Sequence, residues 1–173
     1  HAYINPFISA YESKSMEQLE GQLDAAKIGL ARLSSPTLYY VLSGKDFTLD
    51  INNPKAPKIV CLGNNPQKQQ IYGAVLSLYT SRLVRVVNQK GKLKSSLVFD
   101  EFPTIYVNNI DNLIATARSN KVATTLGVQD FSQLRKDYGK EQAEVIVNVS
   151  GNLIAGQVIG DTAKTISDRI GKI

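Results

Sequence analysis

The chain has 173 residues, of which 43% are hydrophobic and 20% charged, with a formal net charge of +5. That length and balance fit one ordinary globular domain with room for a sizeable core. A single cysteine, Cys61, and a single histidine, His1, exclude an intrachain disulfide framework, a His/Cys metal cluster and a Ser-His-Asp triad built on an internal histidine.

The cysteine content fits a reducing compartment. No apolar run reaches the roughly 18 residues of a membrane span, and no secretory signal is visible. Because the chain opens on His1, we expect a cut piece of a longer protein carrying a tag remnant, and membrane segments of the parent can lie outside it.

Along the chain, Ser15-Met16-Glu17-Gln18 reads as a capping box. Leu19, Leu23, Ala26, Leu30 and Leu33 then recur at helical spacing until Ser34-Ser35-Pro36 stops them. Leu38 to Leu42 is a short apolar run of either type. Phe47 to Ile51 alternates weakly, as a strand does, before Asn52-Asn53-Pro54 turns the chain. Lys58-Ile59-Val60-Cys61-Leu62 reads as a strand of the kind covered on both faces in parallel sheets. Asn65-Pro66 supplies an N-cap and a first-turn proline for a helix from Gln69 to Val87. That helix is apolar almost all round and is expected to be buried on more than one side.

Leu97 to Phe99 is the next expected strand, followed by a helix opened by Asn108 or Asn109, with Ile110, Leu113, Ile114 and Ala117 on one face. Lys121 to Gly127 is a third strand. Asp130-Phe131-Ser132-Gln133 caps a short helix ending at Tyr138-Gly139, where glycine suits the left-handed terminal position. Glu144 to Val149 reads as a fourth strand and Leu153 to Ala155 as a fifth. Asp161 or Thr162 opens a last helix through Ile166 and Ile170. Strands alternating with helices argue for an α/β fold with a mostly parallel sheet. The first 45 residues read as a helical subregion, and 46–173 as the α/β part.

The chemistry concentrates at Asp100-Glu101, two carboxylates at the end of an apolar strand, where ligands of open α/β sheets bind. One such acid can hold Mg²⁺ through its water shell, and its neighbour can polarise an attacking water; a plain strand end before a polar turn has the same composition. Gln129 follows the next strand, and its amide can donate and accept at once, which suits a sensor of a γ-phosphate as well as a helix start. Arg118 is either a favourable cation at a helix end or a guanidinium reaching a nucleotide in a neighbouring subunit. Arg82, Arg85, Lys90, Lys92 and Lys94 form an acid-free basic stretch. It is either a cationic helix end with a solvated loop or a surface for nucleic-acid phosphates.

No G-x-x-x-x-G-K-[ST] phosphate loop occurs in the chain. Ser43-Gly44-Lys45-Asp46 imitates its end, but Asp46 occupies the hydroxyl position and Tyr39 that of the first glycine. Asn148-Val149-Ser150 matches the glycosylation sequon and is expected to be idle.

Several stretches in fixed order carry a resemblance: Leu97-Val98-Phe99-Asp100-Glu101-Phe102-Pro103-Thr104-Ile105, Ala115-Thr116-Ala117-Arg118-Ser119-Asn120, Gln129 with Gln133-Leu134 and Tyr138-Gly139, and Ile166-Ser167-Asp168-Arg169-Ile170-Gly171. From about residue 55 onward the chain resembles the C-terminal half of TraG/TraD-type conjugative coupling proteins. These are RecA-like, FtsK/HerA-related hexameric ATPases of type IV secretion, and the Asn-Pro and Phe-Pro details look most like Bacteroides-type TraG. The resemblance implies a RecA-like core lacking its Walker A segment. Asp100 and Glu101 would be the Walker B pair, Asp100 holding Mg²⁺ through water. Gln129 would sense the γ-phosphate and Arg118 would act across a subunit boundary.

ATP and Mg²⁺ would be cofactors of the parent, with neither expected on the fragment alone. Single-stranded DNA, relaxosome proteins, the secretion channel and a homo-hexamer would be its partners. The parent would sit at the cytoplasmic face of the bacterial inner membrane, with this fragment soluble. Residues 1–45 would belong to the family's all-α domain. A docking module for a relaxosome protein, another HerA- or FtsK-type DNA translocase and a non-catalytic α/β scaffold are the other readings.

Overall fold

The computed structural model describes residues 3–31 and 33–171; His1, read above as a tag remnant, lies outside them. The chain divides into two compact units, His1–Asp46 and Phe47–Ile173.

Among its described residues the first unit contains three helices, α1 (Asn5–Glu12), α2 (Met16–Ala31) and α3 (Pro36–Ser43). The Ser15 carbonyl accepts the first α2 bond from Leu19 N. The Ser15 hydroxyl accepts from Ser13 Oγ at 3.1 Å, so it is engaged outside the expected capping box. Helix α3 resolves the ambiguous run Leu38 to Leu42: Ser35 caps it by accepting from Leu38 N at 3.1 Å, and Pro36 fills its first turn. None of the residues of α2 is buried.

The second unit carries the mixed α/β part. A 3₁₀ turn, Pro66–Lys68, leads into α4 (Gln69–Val87). Asn65 accepts from Gln67 N at 2.9 Å there, as its side-chain chemistry suggests. Helix α4 is one-sided rather than buried all round. Leu76, Thr80, Leu83, Val84 and Val87 face inward, while Leu78 is 62% exposed and Arg82 and Arg85 face solvent.

Strand β1 (Ser95–Phe99) pairs in parallel with β2 (Val122–Leu126), Leu97 opposite Thr124 and Phe99 opposite Leu126. The crossover between them holds a 3₁₀ turn (Phe102–Thr104), α5 (Ile110–Ala117) and a second 3₁₀ turn (Arg118–Asn120), the helical connection a parallel pair requires. Helices α6 (Phe131–Tyr138), α7 (Lys140–Val149) and α8 (Gly160–Ile170) follow. Asp130 caps α6, and Gly139, at φ +80°, breaks the chain between α6 and α7 where a side chain would be strained. The core joins Val87 and Leu83 of α4, Leu97 of β1, Ile110 and Leu113 of α5, Leu134 of α6 and Ile146 of α7 around the fully buried Phe102 and Val107.

Among the described residues the parallel sheet therefore has two strands, fewer than the alternation of elements suggests. Glu144 to Val149 is helical. Its β-branched run is overridden because Ala143, Ile146 and Val147 fall at helical spacing against the core, and Glu141 occupies the favourable first turn. Phe47 to Ile51, Lys58 to Leu62 and Leu153 to Ala155 run as irregular backbone. Ile59 is 94% exposed and Cys61 is exposed; β-type composition makes a strand only where a neighbouring edge pairs with it.

Candidate functional site

Strand β1 stops at Phe99, and the ladder closes just beyond it. Gly127 N donates to the Phe99 carbonyl at 2.8 Å, and Phe102 N donates back to the Gly127 carbonyl at 2.8 Å. This clasp places Asp100 and Glu101 at the carboxyl rim of both parallel strands. A Cβ on Gly127 would lie 3.2 Å from Asp100 Oδ1 and 3.4 Å from the Phe99 carbonyl, so a side chain there would make these neighbours give by a few tenths of an ångström.

Asp100 Oδ1 accepts from Glu101 N at 3.0 Å. Glu101 sits in the left-handed region, φ +48° and ψ +48°, a conformation that costs a non-glycine residue about 1 kcal/mol. It turns the second carboxylate away from the strand alternation. Gln129, three residues beyond β2, donates its side-chain amide to Glu101 Oε1 at 3.0 Å. All three side chains are exposed.

Behind the rim the backbone is held by aromatics. Phe102 stacks on Tyr138 with centroids 5.0 Å apart, and Tyr106 stacks on Tyr138 at 5.0 Å. The Tyr138 hydroxyl donates to the Ile105 carbonyl at 2.7 Å and accepts from Val107 N at 2.9 Å. Burial pushes this phenol well above its ordinary range. On the other side Asp130 Oδ1 accepts from Ser132 N at 2.7 Å and Oδ2 from the Thr162 hydroxyl at 2.8 Å. The bonds from Ser132 and then Thr162 hold the Asp130 carboxyl below the usual carboxylate range. They also tie the start of α6 to α8 directly after Gln129.

The rim suits a hydrated divalent cation. Mg²⁺ commonly takes one or two carboxylates from the protein and completes its shell with water and phosphate oxygens. Asp100 presents an exposed carboxylate whose Oδ1 is already oriented by Glu101 N. Among the described residues no group of three or more His, Cys, Asp or Glu side chains forms an all-protein cage.

The remaining expected site residues lie elsewhere. Arg118 opens the 3₁₀ turn before β2 and is exposed. It stands at the amino end of the pair, one five-residue strand or roughly 16 Å from the rim. One chain therefore does not bring it to Asp100, Glu101 and Gln129. Arg82 and Arg85 lie on the exposed face of α4; Lys90 and Lys94 are exposed in the loop toward β1. Lys92 is engaged, donating to Asp50 at 2.8 Å and 3.0 Å. That bond, opposed in part by desolvation, lowers the Asp50 pKa. Sequence reading missed Asp50 as a partner, Gly127 as the spacer beside Asp100 and Tyr138 as the clamp on the rim. A glycine directly after a strand was the one available signal.

The fold and rim define a mixed α/β region whose parallel pair presents two acids and an amide at its carboxyl edge. A family model described as the TraM recognition site of TraD and TraG matches residues 95–173, which supports reading this stretch as a TraG/TraD-type C-terminal region. No curated protein and no solved structure gave a significant match. Among the described residues no helix is long and apolar enough to cross a membrane.

Proposed function

We propose that this chain is part of the ATPase motor of a conjugative coupling protein and that the Asp100, Glu101 and Gln129 rim completes a nucleotide site. A phosphate loop from sequence outside this chain would supply the other half. The observation that carries the reading is the 3.0 Å bond between Gln129 and Glu101 at the carboxyl edge of a parallel pair, inside the stretch that matches the coupling-protein family. Asp100 would hold Mg²⁺ through its water shell, and Glu101 would orient the attacking water and take its proton. Gln129 would exchange its bond to Glu101 for one to the γ-phosphate, reporting the nucleotide state to α6. Arg118, distant within one chain, would serve a neighbouring protomer of a RecA-like hexamer. The parent would couple hydrolysis to movement of single-stranded DNA and attached relaxosome protein through a type IV secretion channel at the inner membrane.

Hydrolysis by the parent carrying Glu101→Gln tests this: turnover should fall by about 10²–10⁴-fold while nucleotide binding persists. Unchanged turnover would remove the catalytic assignment.

The family description favours a second role for the same region, docking of a TraM-type relaxosome protein. Capture of such a protein by this chain without nucleotide supports it; capture that requires both nucleotide and the phosphate-loop half contradicts it.

A further inference from the structure

A hollow of about 360 Å³ lies between the C-terminal half of α4 and helix α5. Val84 and Leu113 form its buried floor. One wall is prearranged: Asn88 Nδ2 donates to Thr116 Oγ1 at 2.9 Å, Thr116 Oγ1 donates to the Asn112 carbonyl at 2.7 Å, and Asn120 Nδ2 donates to Asn88 Oδ1 at 2.6 Å. That chain of bonds ties the end of α4 to α5 and uses Asn88 and Thr116 internally. The groups left at the rim are Arg85 and the side chains of Asn108, Asn109 and Asn112, all exposed. Asn109 makes no capping bond to α5. The ion pairs among the described residues use Lys27, Lys92 and Arg135, so Arg85 is in none of them.

No carboxylate lines the hollow. The acid in the first turn of α5, Asp111, accepts instead from Gln142 Nε2 of α7 at 2.9 Å. One guanidinium beside three amides is a specific chemistry. The planar fork matches phosphate oxygens, while an amide both donates and accepts and so reads a base edge. The volume is near the bottom of the range for small-ligand sites, and an unpaired strand leaves its base edges free for such amides. Arg82, one turn before Arg85, and Lys90, beyond the helix end, are exposed along the same stretch and suit a continuing polyanion.

We propose that the hollow between α4 and α5 is a contact site for single-stranded DNA, with Arg85 on a backbone phosphate and Asn108, Asn109 and Asn112 on the adjoining base. This rests on the reading of DNA as cargo, but its readout is binding and not hydrolysis. It can therefore fail or stand separately from the nucleotide rim.

The test is fluorescence anisotropy of a labelled oligothymidylate titrated with the whole chain at low salt. Arg85→Ala should weaken binding about tenfold, the loss of one charge-assisted contact, and should reduce the salt slope by about 1. Arg85→Lys should fall between, keeping charge without the fork. Asn108→Ala with Asn112→Ala should weaken binding several-fold with the salt slope unchanged. Lys55→Ala, a control at an exposed turn, should stay within about twofold. Circular dichroism checks that each variant is folded. Binding by the Arg85 and asparagine variants within about twofold of the parent sequence would overturn the proposal, as would equal affinity for a duplex, tighter binding of the matching RNA, or no binding at all.

Discussion

Gln129 reaches back to Glu101 Oε1 across 28 residues of chain, and the two meet at 3.0 Å. The meeting is built from the backbone upward. Parallel pairing of β1 with β2 sets both strand ends level. The Gly127 clasp then fixes the turn after Phe99, and the left-handed Glu101 aims its carboxylate across the gap. Each step depends on the one before it.

The clasp makes the first prediction. Gly127→Ala sets a methyl 3.2 Å from Asp100 Oδ1, and relieving it displaces the carboxylate that Glu101 N holds. Urea denaturation should show a loss of about 1 kcal/mol, the low end for overpacking. In the parent, hydrolysis should fall further than that stability loss explains.

Tyr138 governs the alkaline side. Burial keeps its phenol protonated in the folded chain above its ordinary range, whereas an unfolded tyrosine ionises near pH 10. Its contribution is therefore complete below about pH 10 and is lost as pH rises above it. Tyr138→Phe leaves the buried Val107 N–H without its acceptor and should cost about 1–3 kcal/mol at neutral pH. Urea midpoints measured from pH 8 to about 11 should fall less steeply in the variant.

Asp130 governs the acid side. Its folded pKa is held low by Ser132 and Thr162, so its stabilising effect is present above about pH 4 and disappears as pH falls below it. Asp130→Asn should flatten that limb of a thermal-melt series between about pH 2 and 6. It should also loosen α8, read as faster amide exchange in Gly160–Ile170.

The segment Glu144 to Val149 distinguishes helix from strand. Val145 is 42% exposed on α7, while Ile146 is buried. On a helix surface Val145→Ala should be neutral or stabilising by about 0.5 kcal/mol, since alanine is the better helix former. Ile146→Ala should cost about 2–5 kcal/mol. A strand would reverse the sign at Val145.

Much of this was legible in the residues. The strands read at Leu97 to Phe99 and Lys121 to Gly127 form as Ser95–Phe99 and Val122–Leu126, because each short β-type run is bounded by polar turns. Helices α4, α5 and α6 announced themselves by apolar spacing and by Asp130 or Asn65 before their starts. Glu144 to Val149 misled because a valine-rich run has the same local composition in a strand and in a packed helix; long-range contact with α5 decides between them. Lys58 to Leu62 has strand composition, but pairing is a property of two segments and composition describes one. At the rim, the types and order of Asp100, Glu101 and Gln129 were visible in sequence. The left-handed turn at Glu101 was not, because it follows from the backbone clasp and not from the side chain's preference.

The central claim is that Glu101 and Gln129 act as one unit on a nucleotide. The direct measurement is a double-mutant cycle on DNA-stimulated ATP hydrolysis by the parent, using Glu101→Gln, Gln129→Ala and both together. The account predicts that each single change lowers kcat with nucleotide affinity largely kept, and that the double variant is no worse than Glu101→Gln alone, a clear departure from additivity. Multiplying losses, or a Gln129→Ala variant with the kcat of the unmodified parent, would contradict it.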